Sequence, residues 1–307
     1  MRFRWVFGAS LLLAGAAMLL SVFFWPPQNR WQIERFPLPI PKGLMSHYPA
    51  TAFERWQLHQ PESGGQLTEQ VIFYRQADGH LRQALLPVPG SSQWQNWVEL
   101  GRVLQSVEDN ALVLAWWDDS QRVDFFSGRE TWITQPPASA FAKRTRDLWR
   151  QLSGGFHSDA EPLSTLARWW MSTPARALAD IRQQHIKRPI YWLATGQSLL
   201  HSNEIERLAG STVPLEVRIF PDTGNLHGQI AAVQRWAQET GHGYMPQKVP
   251  GSIAAWRITR KTGLPFWLQL LPFSSSPKNP PANLERVFSS ADRNLILYRV
   301  KLPQNLP

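Results

Sequence analysis

With 307 residues, 43% of them hydrophobic and sixteen of them tryptophan, the chain has enough apolar surface for one large domain or two modest ones. It contains no cysteine, which excludes disulfides, thiolate-ligated zinc, iron–sulfur clusters and covalently attached c-type haem. A formal charge of +9 suits acidic partners or an anionic membrane surface, but there is no concentrated Lys/Arg run and no recognisable module for nucleic acid.

The 21 residues Trp5–Trp25 carry no charge. At helical rise they span roughly 30 Å, the thickness of a bilayer core. Residues 1–25 therefore read as a single transmembrane anchor. Arg2 and Arg4 precede it, which puts the N-terminus in the cytoplasm and everything after Pro26 outside it. A cleaved signal peptide is the competing reading, against which stand the length of the apolar run and the lack of a clean small-x-small site. Residues 26–50 hold Pro26, Pro27, Pro37, Pro39, Pro41 and Pro49, a spacing that predicts an extended linker. In 51–90, the runs Val71–Tyr74 and Leu81–Leu86 flank Asp78-Gly79, a strong β-hairpin signal.

Residues 91–307 are read as an α/β domain. Ser91 or Ser92 caps a helix running to about Val107, with Trp94, Trp97, Leu100 and Leu104 at helical spacing. Ala111–Ala115 is a buried strand. After the break at Pro136-Pro137, a basic helix is expected over Phe141–Leu152, and a short helix with Trp169-Trp170 over Pro162–Met171. Thr173-Pro174 starts another helix, which stops before Pro189. A second buried strand, Ile190–Ala194, leads to a helix at Ser202–Ala209 closed by Gly210, and Leu215–Phe220 is a third strand.

Leu226–Thr240 reads as a helix with Ile230, Val233 and Ala237 facing inward. Strands are expected at Ser252–Thr259 and Pro265–Leu271, a solvated loop at Ser274–Pro281, and two strands, Leu284–Ser289 and Asn294–Lys301, joined through Ala291-Asp292-Arg293. Strands alternating with helices, then hairpins, predict a three-layer domain with a mixed β-sheet.

The chemistry concentrates where the Ala111–Ala115 strand runs into Trp116-Trp117-Asp118-Asp119, because open α/β sheets place their sites at the carboxyl ends of strands. Asp118 could act as a base or accept a hydrogen bond from a ligand. Asp119, its neighbour on a strand end, is expected to point the other way, so no carboxylate dyad is predicted. The structural alternative is that Asp118 caps the next turn or pairs with Arg122 or Arg129. Most tryptophans are expected in the core. The eight histidines are scattered, with no His-Glu-x-x-His, and there is no nucleophile elbow, Walker loop or dinucleotide fingerprint. No metal or cofactor is expected.

Trp116-Trp117-Asp118 after an apolar strand, preceded by the Trp94–Leu104 helix, resembles the Trp-Trp-Asp-Tyr-Gly region in the soluble domain of oligosaccharyltransferase catalytic subunits. Arg129-x-Thr131, the strand and helix within Tyr191–Leu208, and the closing segments Leu284–Ser290 and Ile296–Val300 extend the likeness across residues 91–301. Asp119-Ser120 stand in place of Tyr-Gly, and the transmembrane helices that carry glycosyl transfer are absent from this chain. The resemblance therefore implies a peptide-binding role for Trp116, Trp117 and Asp118, without that reaction. One anchor plus one soluble domain, with Trp-Trp-Asp followed by Gly128-Arg129, is more similar to the HaoB family of hydroxylamine oxidation proteins. That resemblance implies an accessory protein of nitrification with hydroxylamine oxidoreductase or a c-type cytochrome as partner, and it transfers no catalytic residue.

The expected function is thus a membrane-anchored periplasmic accessory protein that binds such a partner through Trp116, Trp117, Asp118, Arg122, Arg129 and Thr131. The alternative is a peptide- or glycan-binding module using Trp116, Trp117 and Asp118. An enzyme with Asp118 as base has less behind it, since no matched acid, nucleophile or metal accompanies that residue.

Overall fold

Burial on both faces of one short strand sets the layers. Among the described residues of the computed structural model (32–37, 53–59, 69–75, 81–87, 90–133, 135–137, 161–249, 251–274 and 280–301), the strands in chain order are β1 (Gln32–Pro37), β2 (Phe53–His59), β3 (Glu69–Arg75), β4 (Leu81–Leu85), β5 (Leu112–Leu114), β6 (Glu130–Thr131), β7 (Ile190–Thr195), β8 (Leu215–Pro221), β9 (Tyr244–Val249), β10 (Ser252–Ile258), β11 (Leu284–Ser289) and β12 (Leu295–Val300). The helices are α1 (Ser92–Ser106), α2 (Trp117–Ser127), α3 (Glu161–Met171), α4 (Pro174–Gln183), α5 (Ser202–Ala209), α6 (Leu226–Gln238) and α7 (Phe266–Leu270), with a 3-10 helix at Gly196–His201. Leu112 and Leu114 of β5 face one hydrophobic core, and Ala111, Val113 and Ala115 face another. A strand buried on both sides is the mark of a sheet covered by helices on both faces.

That sheet is mixed and runs β11-β12-β7-β5-β6. β5 pairs in parallel with both β6 and β7, while β12 pairs antiparallel with β7 and β11. α1 and α2 cover one face with Trp94, Trp97, Leu100, Phe125 and Phe126. The other face packs on α3, α4, α5 and α7 and is dense in indole, with Trp116, Trp170, Trp192 and Trp267 all fully buried. The α/β class with a mixed sheet, expected from the sequence, is the observed one.

Local signals explain the helices. Ser91 Oγ accepts from Trp94 N at 3.2 Å to cap α1, and Thr173 Oγ1 accepts from Arg176 N at 3.4 Å to cap α4, with Pro174 in its first turn. α2 stops at Gly128, whose φ of 66° is left-handed and whose N–H reaches Asp124 O.

Several elements depart from expectation. Pro265–Leu271 holds helix α7 instead of a strand; Phe266, Trp267, Leu268 and Leu270 are all buried, and an apolar run this short has no periodicity to separate the two. α2 and β9 were not foreseen. On α6, Val233 and Ala237 face inward as expected, whereas Ile230 is 41% exposed and Gln229 and Trp236 are buried. The third expected strand, β8, lies outside the central sheet in a separate one ordered β8-β10-β9. Its Glu216 and Arg218 leave it unsuited to burial on both faces. Within the Pro-rich 26–50 stretch, Gln32–Pro37 is strand β1, which pairs with β2 in a third sheet, β1-β2-β3-β4; β3 and β4 pair antiparallel as the hairpin signal predicted.

The membrane segment Trp5–Trp25, the basic helix Phe141–Leu152 and the middle of the Ser274–Pro281 loop lie outside the described residues. Among the described residues, no helix is long and apolar enough to cross a membrane.

The contact between α1 and α2 yields a prediction. Alanine normally stabilises a helix interior by ~1 kcal/mol over glycine. A Cβ on Gly101 would lie 2.4 Å from the backbone oxygen of Phe126, however. Gly101→Ala is therefore expected to cost roughly 1–3 kcal/mol in urea unfolding followed by tryptophan fluorescence, and a variant as stable as wild type would refute the close approach.

Candidate functional site

β5 ends at Leu114, and Trp116 is the N-terminal cap of α2, so Asp118 and Asp119 occupy the first helical turn. Carboxylates are favoured there by free backbone N–H groups and the positive end of the helix dipole. On a strand end the two side chains would oppose each other. On a helix, successive residues lie about 100° apart, and both reach the residue one turn on. Arg122 Nη1 is 2.9 Å from Asp118 Oδ2 and 2.6 Å from Asp119 Oδ1. The two aspartates therefore do share a partner, which corrects the strand-based expectation, and of the two structural partners foreseen for Asp118 it is Arg122 that holds it.

The cluster extends across the neighbouring parallel strand. Thr195, the last residue of β7, donates its Oγ1–H to Asp119 Oδ2 at 2.5 Å, and Thr195 Oγ1 accepts from Ser198 N at 3.2 Å. The 3-10 helix after Thr195 brings in His201, with Nε2 3.4 Å from Asp118 Oδ2 and Nδ1 3.6 Å from Glu204 Oε2. Glu204 Oε2 accepts from the indole N–H groups of Trp116 at 3.2 Å and Trp117 at 3.4 Å. Trp97 lies under the Arg122 guanidinium at 5.7 Å. Trp116, Trp117, Asp118, Asp119 and Arg122 are all buried, while His201 and Glu204 are half-buried. Asp118 Oδ1 and Gln121 Oε1, on successive turns of α2, are buried acceptors with no donor among the described residues.

Burial opposes ionisation of Asp118, but the charges of Arg122 and His201 outweigh it and hold this carboxyl well below the usual range. Asp119 moves the other way. Burial and then the charge of Asp118 push it up to about 6, against the pull of Arg122 and Thr195. Burial would lower the His201 imidazole, yet Asp118 and then Glu204 override it and carry the ring up to about 10. The site holds an imidazolium and a guanidinium against Asp118 and Glu204, with Asp119 as the carboxyl group that burial disfavours.

Arg129 and Thr131 lie away from this network. Arg129 closes the carboxyl end of α1, donating from Nε to Leu104 O at 2.7 Å, from Nη2 to Gln105 O at 3.0 Å and Val107 O at 3.1 Å, and from Nη1 to Asp109 O at 3.0 Å. Those carbonyls have no intrahelical partner, so the guanidinium acts as a C-terminal cap. Thr131 Oγ1 donates to Ile133 O at 3.1 Å. A cleft of about 590 Å³ opens elsewhere, between Trp132, Arg168, Trp169, Arg176 and Asp180, and none of the six expected site residues lines it. Sequence reasoning missed Thr195, His201 and Glu204. The available signal was that β5 and β7 are both apolar strands followed by polar residues, and parallel neighbours bring such carboxyl ends together.

Arg122→Met leaves buried Asp119 without its cation and Asp118 with His201 alone, and is expected to cost about 3–5 kcal/mol in denaturant unfolding; a loss below about 1 kcal/mol, the scale of an exposed pair, would show that the cluster is solvated. His201 binds its proton more tightly in the folded chain than unfolded, so protonation favours the fold. That contribution is complete below about pH 6.5 and is lost as pH rises through about 10. Wild type is therefore expected to lose stability across this window and His201→Gln to lose less, as read from denaturation midpoints at several pH values. Parallel profiles for the two proteins would remove His201 as the cause.

No curated protein matches the chain. Among solved structures, the C-terminal domain of PglB from C. jejuni aligns with a TM-score of 0.39 at 11% identity, covering 66% of this chain and 99% of that one, a likeness too slight to bear on fold or function. The family model described as HaoA-associated protein HaoB matches residues 2–300, nearly the whole length, and the chain belongs to that family.

Proposed function

We propose that the protein is a membrane-anchored periplasmic accessory component of hydroxylamine oxidation that works by binding hydroxylamine oxidoreductase or a c-type cytochrome and catalyses no step itself. The observation that carries this reading is the family match over residues 2–300, whose description names association with HaoA. Anchoring and location rest on the charge-free Trp5–Trp25 segment behind Arg2 and Arg4. The positive charge of the chain suits an acidic partner and would speed its encounter.

In this reading Trp116, Trp117, Asp118 and Arg122 are the buried support of the contact surface, and Arg129 and Thr131 fix the flank beside it. The contact itself is made where the cluster reaches solvent, by Leu200, His201, Asn203 and Glu204. Leu200 is 56% exposed, and it directly precedes the histidine held by Asp118. An exposed apolar residue beside a half-buried charged pair has the makeup of a small interface anchor with a polar rim.

The full chain, tagged and purified from membranes of its native host in several mild detergents, is expected to bring a haem-staining protein with it. Leu200→Asp is expected to reduce that recovery roughly tenfold, the effect of losing one interface anchor. Recovery of no haem protein in any detergent would overturn the proposed partnership. Undiminished recovery with Leu200→Asp would place the contact elsewhere on the chain.

A further inference from the structure

Of the six large apolar side chains exposed among the described residues, four sit on two elements that pack together, Val217 and Ile219 on β8 and Leu226 and Ile230 on α6. β8 is an edge strand of the β8-β10-β9 sheet. Glu216, Val217, Arg218 and Ile219 are all exposed, so neither face nor the outer edge is covered along this stretch.

The ladder to β10 fixes which backbone groups point outward. Asp222 N donates to Gly251 O at 2.9 Å and Thr259 N to Pro214 O at 3.0 Å, within the same register that pairs Arg218 with Ala255. Even-numbered residues of β8 therefore turn their backbone groups toward β10. Val217 and Ile219 turn their N–H and C=O groups away from the sheet, as alternation in an antiparallel ladder requires. Such an edge is a template for another strand.

The side chains select the strand. We infer that β8 pairs antiparallel with β8 of a second copy of this chain about a two-fold axis at Val217, joining the two small sheets into one continuous sheet. In this register Val217 faces its own copy, Leu215 faces Ile219 of the copy, and Glu216 faces Arg218 of the copy. Only registers that set odd residues opposite odd residues can use the outward groups. Shifting one step either way sets Arg218 against itself or Glu216 against itself, which cross-strand repulsion disfavours. The charge pattern thus singles out one alignment, with an apolar stripe on one face and two opposite-charge pairs on the other.

The ionic partners are available. Arg218 lies over the Phe220 ring at 5.4 Å, and no carboxylate among the described residues pairs with it. Glu216 engages Arg257 through Oε2 at 2.8 Å, which leaves Oε1 to accept from across the axis. Isologous contacts of this self-complementary kind are the rule in two-fold dimers. The inference is independent of the partner proposed above, which was assigned to a different surface.

Sedimentation equilibrium of the full chain in non-ionic detergent tests it. Wild type is expected to form a reversible dimer. Arg218→Glu and Glu216→Arg each set like charges opposite one another twice per dimer, and each is expected to weaken association roughly tenfold or more. Mixed in equal amounts, the two variants restore opposite charges at both positions, and dimer of wild-type strength is expected to return. Because the chain has no cysteine, mild oxidation of Val217→Cys is expected to give a covalent dimer, and Val287→Cys, an exposed position on β11, is expected not to. Should Glu216→Arg fail to fold on losing Arg257, then Arg218→Glu and the two cysteine variants decide the matter. A monomer at every concentration, a dimer unmoved by Arg218→Glu, or equal cross-linking of both cysteine variants would overturn the proposal.

Discussion

One guanidinium nitrogen, Arg122 Nη1, lies between two carboxylates inside the protein, and the carboxyl end of the central sheet is arranged around it. An ionised carboxylate taken from water without a partner costs several kcal/mol or more. Asp118 and Asp119 are tolerated because the cation sits one helical turn away on the same element, where helix geometry places it without any long-range closure. The rest of the cluster does depend on tertiary structure. Thr195 reaches Asp119 only because β7 lies beside β5 in parallel register, and His201 reaches Asp118 only because a 3-10 helix redirects the chain immediately after that strand. Buried ion networks of this type contribute less to net stability than to fixing a single arrangement. Here the arrangement fixed is the junction of α2, β7 and α5.

The tryptophans make those charges count for more. Trp116 lies 5.1 Å from Trp170, and Trp170 stacks on Trp267 at 5.5 Å. The Trp267 N–H donates to Ser198 Oγ at 2.8 Å, and that hydroxyl donates in turn to Thr195 O at 2.6 Å. The indole layer therefore grips the 3-10 helix that carries His201 while excluding water from the carboxylates beside it. In a medium of low polarisability each charge–charge contact strengthens, as does each desolvation cost. Both effects act on the same two residues, lowering Asp118, which has two cations, and raising Asp119, which shares one of them.

Much of this was legible in the sequence, and the limits have physical causes. β5, β7, α1, α3, α4 and α5 carried caps, apolar runs or glycine stops that act locally, so they could be read one window at a time. Trp116-Trp117-Asp118 was recognisable as a focal point for the same reason. α2 was not, because ten of its eleven residues are buried, polar ones included, and its sequence shows no amphipathic stripe. The pairing of Asp118 with Asp119 through Arg122 depended on that missed helix, since the side-chain directions differ between strand and helix. His201 and Glu204 lie more than eighty residues from Trp116, and nothing local marks them. In the sequence Arg129 is only a charged residue downstream of Trp-Trp-Asp, whereas four of its five hydrogen bonds go to backbone carbonyls at and just beyond the end of α1 and the fifth to Asp109 Oδ1, a role invisible until the chain returns to that helix.

The three-layer body also explains why β8 stands apart. Each outer strand of the central sheet carries a feature that discourages further pairing. β6 is only two residues long, and β11 is broken by a register shift between Arg286 and Phe288 and flanked by the Lys301–Glu285 pair. In the small sheet β9 carries Pro246, which lacks an N–H, and Lys248. β8 has seven residues, no register shift in its ladder and no proline before Pro221. It places Val217 and Ile219 at the surface, where no helix covers them. β6, β11 and β9 each carry such a feature and β8 does not, and an uncovered apolar edge favours aggregation unless a defined partner occupies it. Alternating Glu216 and Arg218 supply that definition, since they restrict which strand, and which register of it, can pair there.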